Sequence, residues 1–310
     1  MYVTWILVED HLIVRSSVAI GSYAKKMQQV GNTGAIGRVR SVCVPTFRYW
    51  MKTEVHVYGF SIAANVLLSF FPFLIVMVSI CQYVLHWPGA VDAIIIALQD
   101  YFPADMVAFI KRNLMFTVNS RGPMQIGSIL LLFFTANGVF EPMEVALNRA
   151  WGIRENRSFL KNQIVSMGLI FVCGGLVLLS IVFTAANRQM LEYSPLAQWS
   201  GGAALTAILF KTAAIPITML MLFLIYWLLP NQRLPWRSVV PVSIFVGLAL
   251  EGLKYLTLLT WPFLRAKLEH EYGPFINSVT IVLWSFLASM VVLAGAEWSA
   301  RRRDIGQIET

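Results

Sequence analysis

Six polar residues stand out in a chain that is otherwise strongly apolar: Glu141, Glu144, Asn148, Lys211, Glu251 and Lys254. Glu141, Glu144 and Asn148 are offset by three and seven, which sets them along one face of a helix. Pro142 lies among them and removes a backbone donor, so a kink is expected there. Two carboxylates beside loosened backbone can bind a cation or a basic headgroup, or relay protons. The competing reading has both glutamates near a membrane interface, paired with Arg149, Arg154 or Lys211. Glu251 and Lys254 are three apart and can pair on one helix face. Such a pair either fixes packing or lines a polar patch where an amphiphile's headgroup can lodge. Lys211 either snorkels to an interface or is buried and needs a carboxylate such as Glu144 or Glu251.

The elements carrying these residues must be membrane spans. Of the 310 residues 57% are hydrophobic and 13% charged, and mean hydropathy is +0.67. A soluble domain carries roughly a quarter charged residues, and here the apolar residues come in blocks. A charge at the bilayer centre costs roughly 2.5–3.5 kcal/mol on insertion scales, which makes an intramembrane ionisable residue a functional candidate by default.

Crossing a hydrocarbon layer of ~30 Å takes about 20 helical residues. Spans are expected at about 57–85, 123–147, 162–187, 204–229, 238–263 and 274–297. Their placement leaves sixteen Lys/Arg on the side of the two chain ends and six on the other, with Lys211 and Lys254 inside spans. By the positive-inside rule both ends are cytoplasmic. The same bias accounts for the net charge of +8 better than a nucleic-acid partner does. The predicted fold is therefore all-α and polytopic, with six transmembrane helices. Residues 54–300 form the membrane domain and 301–310 a basic cytoplasmic tail.

Residues 1–37 read as a flexible cytoplasmic tail, or as the product of a start assigned too far upstream. Arg38, Arg40, Arg48 and Lys52 among aromatic and apolar neighbours suit a helix at 38–53 lying on an anionic membrane surface. The 88–121 loop has the periodicity of two short amphipathic helices broken at Phe102-Pro103. No metal ligand set is expected: Cys43, Cys81 and Cys173 are scattered, and His11, His56, His86 and His270 form no paired motif. No Walker motif, cofactor signature or catalytic constellation is present.

Several short stretches, in order, resemble the YihY/BrkB family of bacterial inner-membrane proteins. They are Ala63-Ala64 and Leu68 to Leu74 around Pro72; Ala146-Leu147-Asn148-Arg149-Ala150-Trp151; Tyr226, Pro230 and Trp236; Glu251 with Lys254; Tyr272-Gly273; and Leu293-Ala294-Gly295-Ala296-Glu297. The likeness covers about residues 45–300. Asn65 departs from it, since the family tends to be apolar or aromatic there, and the N-terminal tail has no counterpart. Asn65 is expected to hydrogen-bond across helices, and Glu297 to pair with Arg301 near the cytoplasmic face.

Members of that family carry labels ranging from ribonuclease BN through virulence and serum-resistance factors to envelope lipid transport. The resemblance and the polar spans together lead to the expectation of an inner-membrane protein that transports or helps export a lipid or lipid-linked amphiphile. Membrane lipids, and a periplasmic envelope protein, are the partners this implies. A non-transporting scaffold that docks an envelope partner is the alternative. A ribonuclease is disfavoured, because RNA cleavage needs clustered carboxylates or His/Lys acid–base groups on a cytoplasmic surface.

Overall fold

Glycine and proline set the helix boundaries. The structure, a computed structural model, describes residues 44–87, 89–99, 101–119, 123–154, 157–193 and 202–308. The chain divides after Met51. In the short N-terminal unit residues 44–50 form a helix, α1, and residues 51 and 52 break it. Of the surface helix expected at 38–53, residues 44–50 are helical, while 38–43, like 1–37, lie outside the described residues.

The second unit is helical throughout, with no strand among the described residues. In chain order it contains α2 (Thr53–Ser79), running into a π-helical turn at Ile80–Val84; α3 (Ala90–Gln99); α4 (Ala104–Asn119); α5 (Pro123–Ala150); α6 (Phe159–Tyr193); α7 (Gly202–Leu228); α8 (Trp236–Tyr272); and α9 (Ile276–Ile308). Pro123 starts α5 where its missing N–H costs nothing. Pro103 separates α3 from α4, so the two short helices read in the 88–121 loop are present. At Gly273, φ is +49°, a conformation that favours glycine. Its N–H closes α8 onto the Glu269 carbonyl, and a 3-10 turn at Gly273–Phe275 leads into α9.

Among the described residues, three helical stretches are long and apolar enough to cross a membrane: Thr53–Val84, Leu160–Ile181 and Trp236–Arg301. The last has 66 residues, about 100 Å of helix and some three times the hydrocarbon thickness. It is instead a hairpin, because the Ser299 hydroxyl near the end of α9 donates to the Ser238 carbonyl at the start of α8, 3.1 Å away. In α7, a helix of 27 residues, the apolar stretch within the described residues is Ile215–Leu228.

Side-chain contacts order the other helix ends. Arg149, at the end of α5, meets Glu54 at the start of α2 (2.9 Å). Arg157, just before α6, donates to the carbonyls of Leu228, Leu229 and Pro230 at the end of α7. One end of the bundle therefore gathers the start of α2, the end of α5, the start of α6, the end of α7, the start of α8 and the end of α9. Consecutive long helices run in opposite directions.

The other end is closed by α3 and α4. Their apolar faces (Val91, Ile94, Ile95, Met106, Ile110, Leu114) are buried against Leu74, Met77 and Val78 of α2. Outside this core the surface stays apolar, with Phe171, Leu259 and Phe263 exposed by 71%, 74% and 84%. A surface of that kind is stable in hydrocarbon, where only internally bonded backbone is tolerated and helices supply it.

Helices run past the span ends that hydropathy gives. The eighth helix runs on from 263 to Tyr272, through the pairs Arg265–Glu269 and Lys267–Glu271. The expected tail at 301–310 continues α9 as helix to Ile308.

Helix crossings are tight where glycine permits. A Cβ on Gly295 would lie 2.2 Å from Val246 Cγ2 and 3.0 Å from the Tyr226 hydroxyl, and one on Gly138 would lie 2.1 Å from Asn65 Oδ1. We expect Gly295→Ala to lower stability by about 1–3 kcal/mol, the usual cost of overpacking. Thermal unfolding in detergent measures it, and an unchanged melting temperature would show that the α8–α9 crossing yields freely.

Candidate functional site

The Glu251 carboxylate and the Lys254 ammonium, one turn apart on α8, form an ion pair at 2.6 Å with side chains 12% and 15% exposed. The rings of Tyr101 and Tyr255 flank the ammonium, their centroids 5.0 and 5.2 Å from Nζ. A cation between aromatic faces is held partly by the ring quadrupoles. The pair lies in the wall of a cavity of about 290 Å³. Val66 and Phe70 of α2, Thr218 of α7 and Trp284 and Ser285 of α9 also line it, together with Tyr101 and Phe102. Those last two belong to the α3–α4 link, which Asp105 ties to α8 through Trp261 Nε1 (3.3 Å) and Arg265 (3.5 Å). The indole N–H of Trp284 is buried and has no hydrogen-bond partner among the described residues.

A second polar group lies at the opposite end of the bundle. Glu144 and Asn148 on α5 are buried, 5% and 8% exposed. Asn148 Nδ2 donates to Glu144 Oε1 (3.4 Å), while its Oδ1 accepts from the backbone N–H of Asn231 (2.8 Å). The Asn162 and Asn231 side chains and the Arg157 guanidinium also face the Glu144 carboxylate. The arrangement binds α5, α6 and the end of α7 to one another.

The sequence candidates therefore separate. Glu251 and Lys254 share one site, and Glu144 and Asn148 another. Glu141 is exposed on α5 and belongs to neither, because its face of the helix turns outward. Lys211 stands in α7, and its side chain lies outside the described residues.

The remaining marked residues hold the framework. Pro72 is buried within α2. Asn65 donates along its own helix to the Ser61 carbonyl (2.9 Å) and faces Gly138 of α5 at the crossing of the two helices. Tyr272 and Gly273 make the α8–α9 turn. Gly295 permits the α8–α9 crossing, and Glu297 pairs with Arg301 at 2.5 Å. Tyr226 is fully buried, donates to the Val292 carbonyl (2.7 Å) and meets Trp151 edge-on. Tyr101, Trp284, Asn162 and Asn231 were not singled out from sequence. Each reaches its site from a separate element, and a lone aromatic or asparagine carries no local signature.

An apolar exterior enclosing buried ion pairs defines an α-helical integral membrane protein. Residues 46–307 match the family model described as Virulence factor BrkB, and the chain belongs to that family, the one its motifs resemble. It is 27% identical over 243 residues to the ribonuclease-like protein YfkH of Bacillus subtilis, covering 76% of this chain and 85% of that protein. A UPF0761 membrane protein of Acinetobacter baylyi is 28% identical over 205 residues, 64% of this chain and 47% of its own length. Another from Prosthecochloris aestuarii is 26% identical over 286 residues, 85% of this chain and 61% of its own. The chain thus spans about half the length of such UPF0761 relatives. No solved structure matches it.

Proposed function

We propose that this chain is a multi-pass protein of the bacterial inner membrane that crosses it six times and helps move a lipid or lipid-linked amphiphile toward the envelope. The alternating direction of α2, α5, α6, α7, α8 and α9 supports six crossings. The sixteen-to-six excess of Lys/Arg supports cytoplasmic ends. The observation that carries the functional reading is the cavity beneath the α3–α4 cap, apolar over most of its lining and bearing the Glu251–Lys254 pair. An amphiphile needs both surfaces at once.

In this reading the chain is no enzyme, and the ribonuclease-like label of YfkH is not carried over. RNA binding calls for an exposed basic surface, whereas this cationic group is recessed among aromatic and apolar side chains. A photoreactive amino acid at Leu250, in the cavity wall, is expected to crosslink a restricted set of lipids in cells, unlike the bulk mixture captured from Phe263. Capture of the bulk mixture, or of no lipid, would count against the site. Deletion-strain complementation addresses activity. Full rescue of envelope defects by a well-folded variant lacking both charges, with loss on altering α3–α4, would favour a scaffold docking an envelope protein.

A further inference from the structure

We infer that the cavity selects amphiphiles with a phosphate-bearing headgroup, which competes with Glu251 for Lys254. The inference rests on the reading of this cavity as an amphiphile site and adds the chemistry of the headgroup. Its basis is the hydrogen-bonding capacity left over in the wall. An ammonium carries three donors and an indole one, and neither can accept. Glu251 engages one donor of Lys254, and the other described neighbours of that ammonium are the ring faces of Tyr101 and Tyr255. The Trp284 indole N–H adds a buried donor without a partner among the described residues, with the Ser285 hydroxyl on the same wall. The Thr257 hydroxyl is already committed to the Leu253 carbonyl.

A cationic headgroup would find its place taken, because Lys254 itself occupies both the carboxylate and the aromatic faces. A phosphate is an acceptor only and fits the unfilled donors. Geometry also allows it to arrive: Lys254 lies between Tyr101 and Tyr255, which are 46% and 57% exposed, and so stands at the mouth of the cavity. Glu251 then acts as a built-in anion. It keeps Lys254 neutralised while the cavity holds no headgroup, and it lowers affinity for any anion that must displace it.

The test uses the purified full-length protein in detergent and measures retention of dioleoyl phosphatidic acid against dioleoylglycerol, two lipids that differ only by the phosphate. Wild type is expected to prefer the phosphate lipid by about tenfold or more, the scale of a charge-assisted hydrogen bond. Glu251→Gln, which removes the competing anion, is expected to retain it several-fold more tightly. Trp284→Phe should weaken phosphatidic acid and leave dioleoylglycerol unchanged. The double variant Glu251→Leu, Lys254→Leu is expected to fold and to show no preference, so a loss there is not a loss of structure.

Equal retention of the two lipids would overturn the headgroup assignment and leave the amphiphile site standing. Weaker retention by Glu251→Gln would overturn the exchange. Full displacement by inorganic phosphate at the lipid's own concentration would make a free anion the ligand and overturn the assignment to a lipid. Retention of neither lipid, with no adduct from Leu250, would remove the underlying reading as well.

Discussion

Alanine at Glu251 alone, or at Lys254 alone, is expected to lower the stability of the bundle by about 3–5 kcal/mol, while leucine at both positions costs far less. The reason is the asymmetry of a buried ion pair. Each charge has already lost most of its hydration, since only 12% and 15% of the two side chains remain exposed. The partner returns that loss through a 2.6 Å contact. Deleting one member leaves the other charged in an apolar wall beside Phe70 and Trp284. Deleting both removes the desolvation cost together with the attraction, and leucine fills the volume. Thermal unfolding of the two singles and the double in one detergent measures the coupling. Additive losses would show that both groups are independently hydrated and that the pair has no energetic role. A bound ligand that favours the folded state adds to its stability. Phosphatidic acid is therefore expected to recover much of the loss in Glu251→Ala and little in Lys254→Ala.

That pair was legible in the sequence because helix periodicity alone brings residues three apart together, whatever surrounds them. The cavity in front of it was not legible. Its wall is drawn from α2, α7, α8, α9 and the α3–α4 link, and no local spacing records which aromatic residue will lie over Lys254. The same distinction separates Glu144 from Glu141. An offset of three places them about 60° apart around the helix axis, close enough for the pattern to join them, but the packing boundary of α5 falls between. Glu144 is buried against groups from two later segments, and Glu141 faces outward.

Helix ends show a different limit. Hydropathy stops at the first charges, so the sequence placed the end of the fifth span near 263. The backbone continues to Tyr272, because Arg265 with Glu269 and Lys267 with Glu271 are spaced to support a helix outside the apolar layer. The amphipathic character of 88–121 was visible as periodicity. That its apolar faces cap the bundle follows from α2 offering Leu74, Met77 and Val78 at the matching depth.

Arg157→Ala is the second large effect, expected to cost about 3 kcal/mol or more. In sequence Arg157 is one of many loop charges. In the structure its guanidinium forks across the carbonyls of Leu228, Leu229 and Pro230, where α7 ends. The last carbonyls of a helix have no intrahelical partner and carry the negative end of its dipole, so a cation with several donors satisfies both demands. Arg157 also supplies positive charge to Glu144, a carboxylate only 5% exposed. Alanine would leave the carbonyls without their donor and the Glu144 carboxylate without the cation that faces it. Lysine is expected to recover only part of the loss, because a point charge cannot span three acceptors as the planar fork does. Glu144→Gln in the Arg157→Ala background should recover another part by removing the uncompensated charge. Unfolding midpoints for the four proteins decide the matter. Full stability in Arg157→Lys would reduce the role to charge alone, and no gain from Glu144→Gln would mean that Glu144 does not depend on Arg157.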